Sequence, residues 1–144
     1  MVDIQIVRLD DALDLPKPAH EGDAGIDLCA RHDGVLAPNG GRLLMPTGIA
    51  IAIPHGYAGF ILPRSGLALN HGISVVNAPG LIDSQYRGEL KVVLLNTDQT
   101  RPYHVHRGDR IAQLVIQRVE DVTWTEVSQL DSEDRGGGFG HSGR

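Results

Sequence analysis

The stretch GLIDSQYRGEL, residues 80–90, puts Asp83, Tyr86 and Arg87 into what its glycines mark as a corner between two strands. A corner has use for Gly80 and Gly88. It has no need of a carboxylate, a flat ring face and a guanidinium together, and that trio suits a small ligand. Taken one at a time the residues have plainer accounts: Asp83 and Ser84 as a turn, Arg87 paired with Glu89 across a strand end, Tyr86 as a surface aromatic. Three such accounts at one corner are less economical than one ligand.

PRSGLA, residues 63–68, carries a second kind of chemistry. Ser65 at the start of a short helical turn leaves the N–H groups of Gly66 and Leu67 pointing outward, an anion site by geometry, and Arg64 adds a charged fork beside it. An ordinary N-cap after a strand explains the same residues. Asp27, in DAGIDLCA (residues 23–30), sits within a strand and reads by itself as solvent-facing. Gln113 interrupts an apolar run in RGDRIAQLVI (residues 107–116), and an amide there needs partners if buried, from a ligand or from neighbouring backbone. The seven histidines form no metal-binding pattern; His104 and His106 alternate on one strand but have no partner set.

These residues need a scaffold. Strand-like runs recur at residues 4–9, 25–30, 41–54, 56–63, 72–80, 89–96, 103–106, 110–119 and 122–127, separated by Gly, Pro, Asn and Asp. The pattern predicts an all-β barrel or sandwich with at most one short helix, over SGLALN (residues 65–70) with Ser65 as its cap. From Asp131 onward glycine dominates and periodicity ends, so residues 1–130 are expected to form one β domain and residues 131–144 a flexible arm. That arm still interleaves Arg135, Phe139, His141 and Ser142 with its glycines, supplying a cation, a ring and hydrogen-bond donors.

Composition narrows the function. At 144 residues the chain is one domain, and a formal net charge of −5 argues against coating nucleic acid, although a few converging arginines can still take a small anion. Cys29 is the only cysteine, which excludes an intrachain disulfide and a cysteine-based zinc site. The first residues carry acids where a signal peptide has bases, and no run approaches the roughly 20 apolar residues of a membrane helix. A soluble, cytoplasmic protein is the expectation.

Five segments in one order, AGIDL (24–28), PRSGLA (63–68), GLIDSQYRGEL (80–90), RGDRIAQLV (107–115) and RGGGFGHSG (135–143), closely resemble the motifs of the trimeric dUTPases. The resemblance implies a homotrimer of jelly-roll subunits that hydrolyses dUTP to dUMP and pyrophosphate with Mg²⁺, limiting uracil incorporation into DNA, with active sites built from more than one subunit. It assigns Asp83 to the attacking water and the sugar 3′-hydroxyl, Tyr86 to the deoxyribose face, and Asn77, with Gly80 and Ile82 of the same hairpin, to the uracil edge. It assigns Arg64, Ser65 and Gly66 to the phosphates, Gln113 to the neighbourhood of the α-phosphate, and Asp27 to Mg²⁺ through water. In the arm it assigns Arg135 to the γ-phosphate, Phe139 to a lid over uracil, Gly140 to substrate binding, and His141 and Ser142 to terminal phosphate contacts. Arg87 and Glu89 are read as support for the corner. Two positions depart from the usual pattern: the arm is one residue shorter between Arg135 and Phe139, and Leu81 stands where threonine is common. A dCTP deaminase, which shares the β fold, and a binding module without turnover are the competing readings.

Overall fold

The computed structural model describes residues 2–131. Its strands are β1 (Gln5–Arg8), β2 (Ile26–Cys29), β3 (Gly34–Leu36), β4 (Gly41–Ala52), β5 (Tyr57–Leu62), β6 (Ile73–Val75), β7 (Gly80–Ile82), β8 (Glu89–Asn96), β9 (Tyr103–Val105) and β10 (Arg110–Arg118), with one helix, α1 (Ser65–His71). Two four-stranded sheets, ordered β1-β4-β8-β6 and β2-β10-β5-β7, together with the small β3-β9 pair, make a jelly-roll sandwich in which every pairing is antiparallel.

Alternation explains the layering. Along β8, Leu90, Val92, Leu94 and Asn96 are buried while the residues between them are not, and β4 and β10 supply Met45, Ile49, Ile51, Ile111, Ala112 and Leu114 to the same core. Asn96 is fully buried and fully used: its amide donates to the carbonyls of Leu36 and Arg101, and its oxygen accepts from the Asp98 N–H. That satisfies the requirement on a buried amide and fixes where β8 ends. β4 bends at an irregularity between Pro46 and Ala50, where Gly48 takes φ 75, a left-handed conformation costly for other residues.

Three sequence expectations change. Residues 122–127 form no strand; Trp124 is 92% exposed, and the segment lies along no sheet edge of this chain that could satisfy its backbone. β3 and β7, three residues each, are too short to stand out as separate runs. α1 does form over the expected residues, but its cap is Arg64, with extended backbone and no side-chain cap bond, so Ser65 is the first helical residue and not the cap.

Candidate active site

β2, β10 and β5 lie side by side, and their register brings three of the singled-out residues to one end of the sheet. Gln113 on β10 pairs with Asp27 on β2 and with Leu62 on β5, two residues before Arg64. Gly25 makes room there, since a Cβ at that position would lie 3.0 Å from the Gln113 Oε1.

Asp27 is not the solvent-facing strand residue its position suggested. Its side chain is 11% exposed and held between two arginines: Arg64 Nε lies 3.0 Å from Oδ1, and Arg110 Nη1 donates to Oδ2 at 3.2 Å. Arg64 Nη1 also donates to the Arg110 carbonyl at 3.0 Å, which closes the cluster. The Arg64–Asp27 contact is an ion pair without a hydrogen bond, because the Nε–H is not aimed at Oδ1, and both atoms are buried without another partner. Such a cluster is costly to build unless something uses it, as desolvation offsets much of the attraction. A polar cleft of about 250 Å³ opens beside it, lined by Ala19, Asp23, Ala24, Gly25, Asp27 and Gln113. A larger hollow of about 490 Å³, bounded by residues 13–20, shares Asp27 and Arg110 with the cluster. Cys29 lines that hollow, and burial first, then the Asp27 carboxylate, push its thiol up from the ordinary value.

Ser65 and Gly66 are exposed in the first turn of α1, next to this cluster in the chain, with open space around Gly66. Helix and cluster together form a region of positive charge and unpaired N–H groups.

Asp83 and Tyr86 lie elsewhere. β7 pairs with β5 so that Ile82 faces Gly59 and Gly80 faces Ile61. Asp83 therefore leaves the sheet at the Tyr57 end of β5, whereas Arg64 follows the Leu62 end. Gly59 to Leu62 alone spans about 10 Å of strand. Asp83 is exposed on a turn closed by the Tyr86 N–H donating to its carbonyl at 3.1 Å. Asn77 is exposed on the loop between β6 and β7, and its amide nitrogen would meet a Cβ at buried Gly80 at 3.2 Å. Asn77, Gly80, Ile82, Asp83 and Tyr86 thus share one hairpin region.

Arg87 does not pair with Glu89. It donates to the carbonyls of Ser84 (2.6 Å) and Tyr86 (2.8 Å), while Glu89 Oε1 accepts from Arg31 Nη1 (3.1 Å) and from the Gly48 N–H (2.9 Å). Both brace the corner, as expected of them, through different partners. Sequence reasoning missed Arg110 as the second cation on Asp27; its place three residues before Gln113, which pairs with Asp27, was the available signal. Arg135, Phe139, Gly140, His141 and Ser142 lie outside the described residues.

The described residues form an all-β jelly-roll protein with an arginine–carboxylate cluster and a separate acid–aromatic hairpin. Comparison with known proteins makes this specific. Residues 11–143 match the dUTPase family. The chain is 60% identical to a deoxyuridine 5′-triphosphate nucleotidohydrolase of Thermobifida fusca, covering 99% of this chain and 79% of that protein. It is 58% identical to one of Corynebacterium glutamicum, covering 98% and 95%. Among solved structures, a Staphylococcus bacteriophage 80alpha dUTPase with dUPNHPP superposes with a TM-score of 0.91 at 26% identity, covering 99% of both chains. A mutant dUTPase of phage phi11 of S. aureus, described with a structural Mg(II) ion, superposes at 0.81 with 25% identity, covering 89% of this chain and 98% of that one. The chain belongs to the dUTPase family.

Proposed function

We propose that this protein hydrolyses dUTP to dUMP and pyrophosphate, by attack of water on the α-phosphorus. The observation that carries the reading is the clustering of Arg64, Arg110 and Gln113, from separate segments, around Asp27 beside two hollows, in a chain of this family. A triphosphate brings roughly four negative charges to a protein of net charge −5, and a local excess of cations and N–H donors is what such a substrate requires.

Each residue has a role in this reading. Arg64, Ser65 and Gly66 bind phosphate oxygens, and Gln113 donates near the α-phosphate. Asp83, exposed and without a hydrogen bond to its carboxylate among the described residues, orients the attacking water, accepts its proton and contacts the 3′-hydroxyl. Tyr86 packs on the deoxyribose, and Asn77, Gly80 and Ile82 read the uracil edge. A closely fitting uracil site in this reading excludes the thymine methyl sterically. Cytosine leaves a mismatched polar edge, at a penalty of about 1–3 kcal/mol per unpaired group.

The donor set suits Mg²⁺ held mostly by water and phosphate. No group of three or more ligating side chains occurs among the described residues, yet Asp27 Oδ1, ion-paired with Arg64, accepts no hydrogen bond, and Asp27 shares its cleft with Asp23. Asp27 is the residue that would hold the ion, through water. When bound, Mg²⁺ supplies charge neutralisation at the phosphates.

The opposite placement of the two regions supports a homotrimer with shared sites. One chain presents the phosphate cluster at one end of β5 and the Asp83 hairpin at the other, and in this reading a second copy brings its hairpin to the first copy's cluster. The arm, residues 131–144, then closes over the nucleotide, with Arg135 on the γ-phosphate, Phe139 over uracil, Gly140 beside it in the substrate-binding segment, and His141 and Ser142 on terminal phosphates. Ordering that arm costs about 1–2 kcal/mol per residue, which the substrate contacts must offset. The cytoplasm, where deoxynucleotides are made and used, is the compartment this activity calls for.

Product analysis tests the reading. Purified protein with Mg²⁺ is given dUTP, dCTP, dTTP and UTP separately, and products are resolved by ion exchange, with Asp83→Asn as control. Pyrophosphate and dUMP from dUTP alone, lost in the control, is the expected result. Conversion of dCTP to a uracil nucleotide would establish a deaminase instead, and no turnover of any of the four would leave a binding module.

A further inference from the structure

We propose that Gly88 and the backbone carbonyl of Glu89 set the position of the Tyr86 ring, which makes Gly88 a determinant of the choice between deoxyribose and ribose. The inference rests on the reading of Tyr86 as the ring that packs on the sugar.

Tyr86 is 43% exposed on a surface turn and belongs neither to the hydrophobic core nor to the side chains packed against it. Free on such a turn, a tyrosine would exchange among staggered rotamers. A ring that rejects one hydroxyl by steric exclusion has to be held to within about 0.5 Å, so something must hold it. Two contacts do so. The Tyr86 hydroxyl donates to the Glu89 carbonyl at 3.0 Å, and the outer edge of the ring rests over Gly88.

The second contact leaves no room for a side chain at residue 88. A Cβ built at residue 88 would lie 2.5 Å from the Tyr86 Oη, 2.7 Å from Cζ and 3.2 Å from Cε2, so no side chain fits while the ring stays in place. Gly88 does not have the positive φ that reserves other positions for glycine. Its backbone accepts an L residue, and glycine is required there for space. The anchor is itself fixed: Glu89 opens β8, and its carboxylate is bound by Arg31 and by the Gly48 N–H, so the carbonyl that receives the tyrosine hydroxyl belongs to a pinned residue. Arg87, donating to the Ser84 and Tyr86 carbonyls, stiffens the turn from the other side.

Alanine at residue 88 therefore displaces a side chain and leaves the backbone as it is. The fold survives, the ring swings off its seat, and the hydroxyl loses the Glu89 carbonyl. Selectivity then falls without a fall in stability, which a merely structural glycine would not produce.

The test compares Gly88→Ala, Tyr86→Ala and Tyr86→Phe with the parent chain, measuring kcat/KM for dUTP and for UTP with Mg²⁺ and the melting temperature of each. The expected result is a dUTP-to-UTP ratio reduced about tenfold or more in Gly88→Ala, with melting close to the parent, and a smaller reduction in Tyr86→Phe, which keeps the ring but not its anchor. A parental ratio in Gly88→Ala, with the ratio lost in Tyr86→Ala, overturns the inference and leaves the sugar role of Tyr86 standing. A parental ratio in Tyr86→Ala overturns both. A parental ratio in Tyr86→Phe overturns the anchoring by the Glu89 carbonyl, whatever alanine at residue 88 does to the fold.

Discussion

Asp27 and Asp83 are both carboxylates in motif segments, and the structure treats them in opposite ways. Asp27 lies on the edge strand β2 with its side chain only 11% exposed and a guanidinium against each oxygen. Asp83 stands on an exposed turn that is closed through its backbone carbonyl, leaving the side chain out of the bonding. The buried charge needs permanent partners to be tolerated at all, whereas a group that must take hold of a water has to keep its lone pairs unoccupied until the water arrives. A protein can build the first environment within one chain. The second stays open to solvent among the described residues, at the other end of β5 from the first.

The largest effect is expected where the environment is emptiest. Asp83→Asn should lower kcat by about a thousandfold, the range of general-base contributions, while melting stays near the parent because no hydrogen bond or ion pair among the described residues uses that carboxylate. Steady-state pyrophosphate release and a melting curve on the same preparation check both halves. A carboxylate that mattered equally to folding would erase the contrast with Asp27.

Mixing sharpens the comparison further. Asp83→Asn and Arg64→Ala, each inactive alone, are unfolded together in equal amounts and refolded. If hairpin and cluster come from different copies, random trimers recover roughly a quarter of parental activity, since a mixed trimer holds one site with both residues intact. If both come from one chain, recovery is absent.

How much of this was legible in the sequence follows from the same contrast. β8 and β10 could be read because alternation is a local signal, and the hairpin residues could be read because they are neighbours in the chain. The arginine clasp could not: Arg64 and Arg110 reach Asp27 across 37 and 83 positions, as the numbering shows, and only the β2-β10-β5 register brings them there. Residues 122–127 failed as a strand for a related reason, because alternation shows what a segment can bury but not whether a partner lies within the same chain. The Ser65 cap failed by one residue, the usual uncertainty of a helix end.

A moderate effect is expected at the clasp. Arg64→Ala leaves Asp27 with Arg110 alone and should cost about 1–3 kcal/mol of stability, read from urea unfolding, besides its loss of activity. A fully stable Arg64→Ala chain would mean that Arg110 compensates the carboxylate unaided.

The smallest effect comes from a third carboxylate, outside both regions, held by backbone and therefore a control. The Thr100 and Arg101 N–H groups, then the Arg101 guanidinium, pull Asp98 down to about 2. A lowered carboxyl contributes stability that is complete above its unfolded value, about 4, and disappears as pH falls to its folded one. Asp98→Asn should accordingly melt below the parent at pH 6 and converge with it near pH 2. Asp10, held well below the usual carboxylate range chiefly by the Arg107 guanidinium, follows the same sign and loses its contribution at still lower pH.

Trp124 is the chain's only tryptophan, and it stands 92% exposed on the segment that runs from β10 toward the arm. The intrinsic fluorescence of the protein is therefore a single-site signal placed on that segment. Emission from an open indole in water is red; the same indole covered by a neighbouring copy shifts to the blue. Dilution, nucleotide addition and arm truncation can each be followed by one wavelength, without a label and without confusion from any other indole.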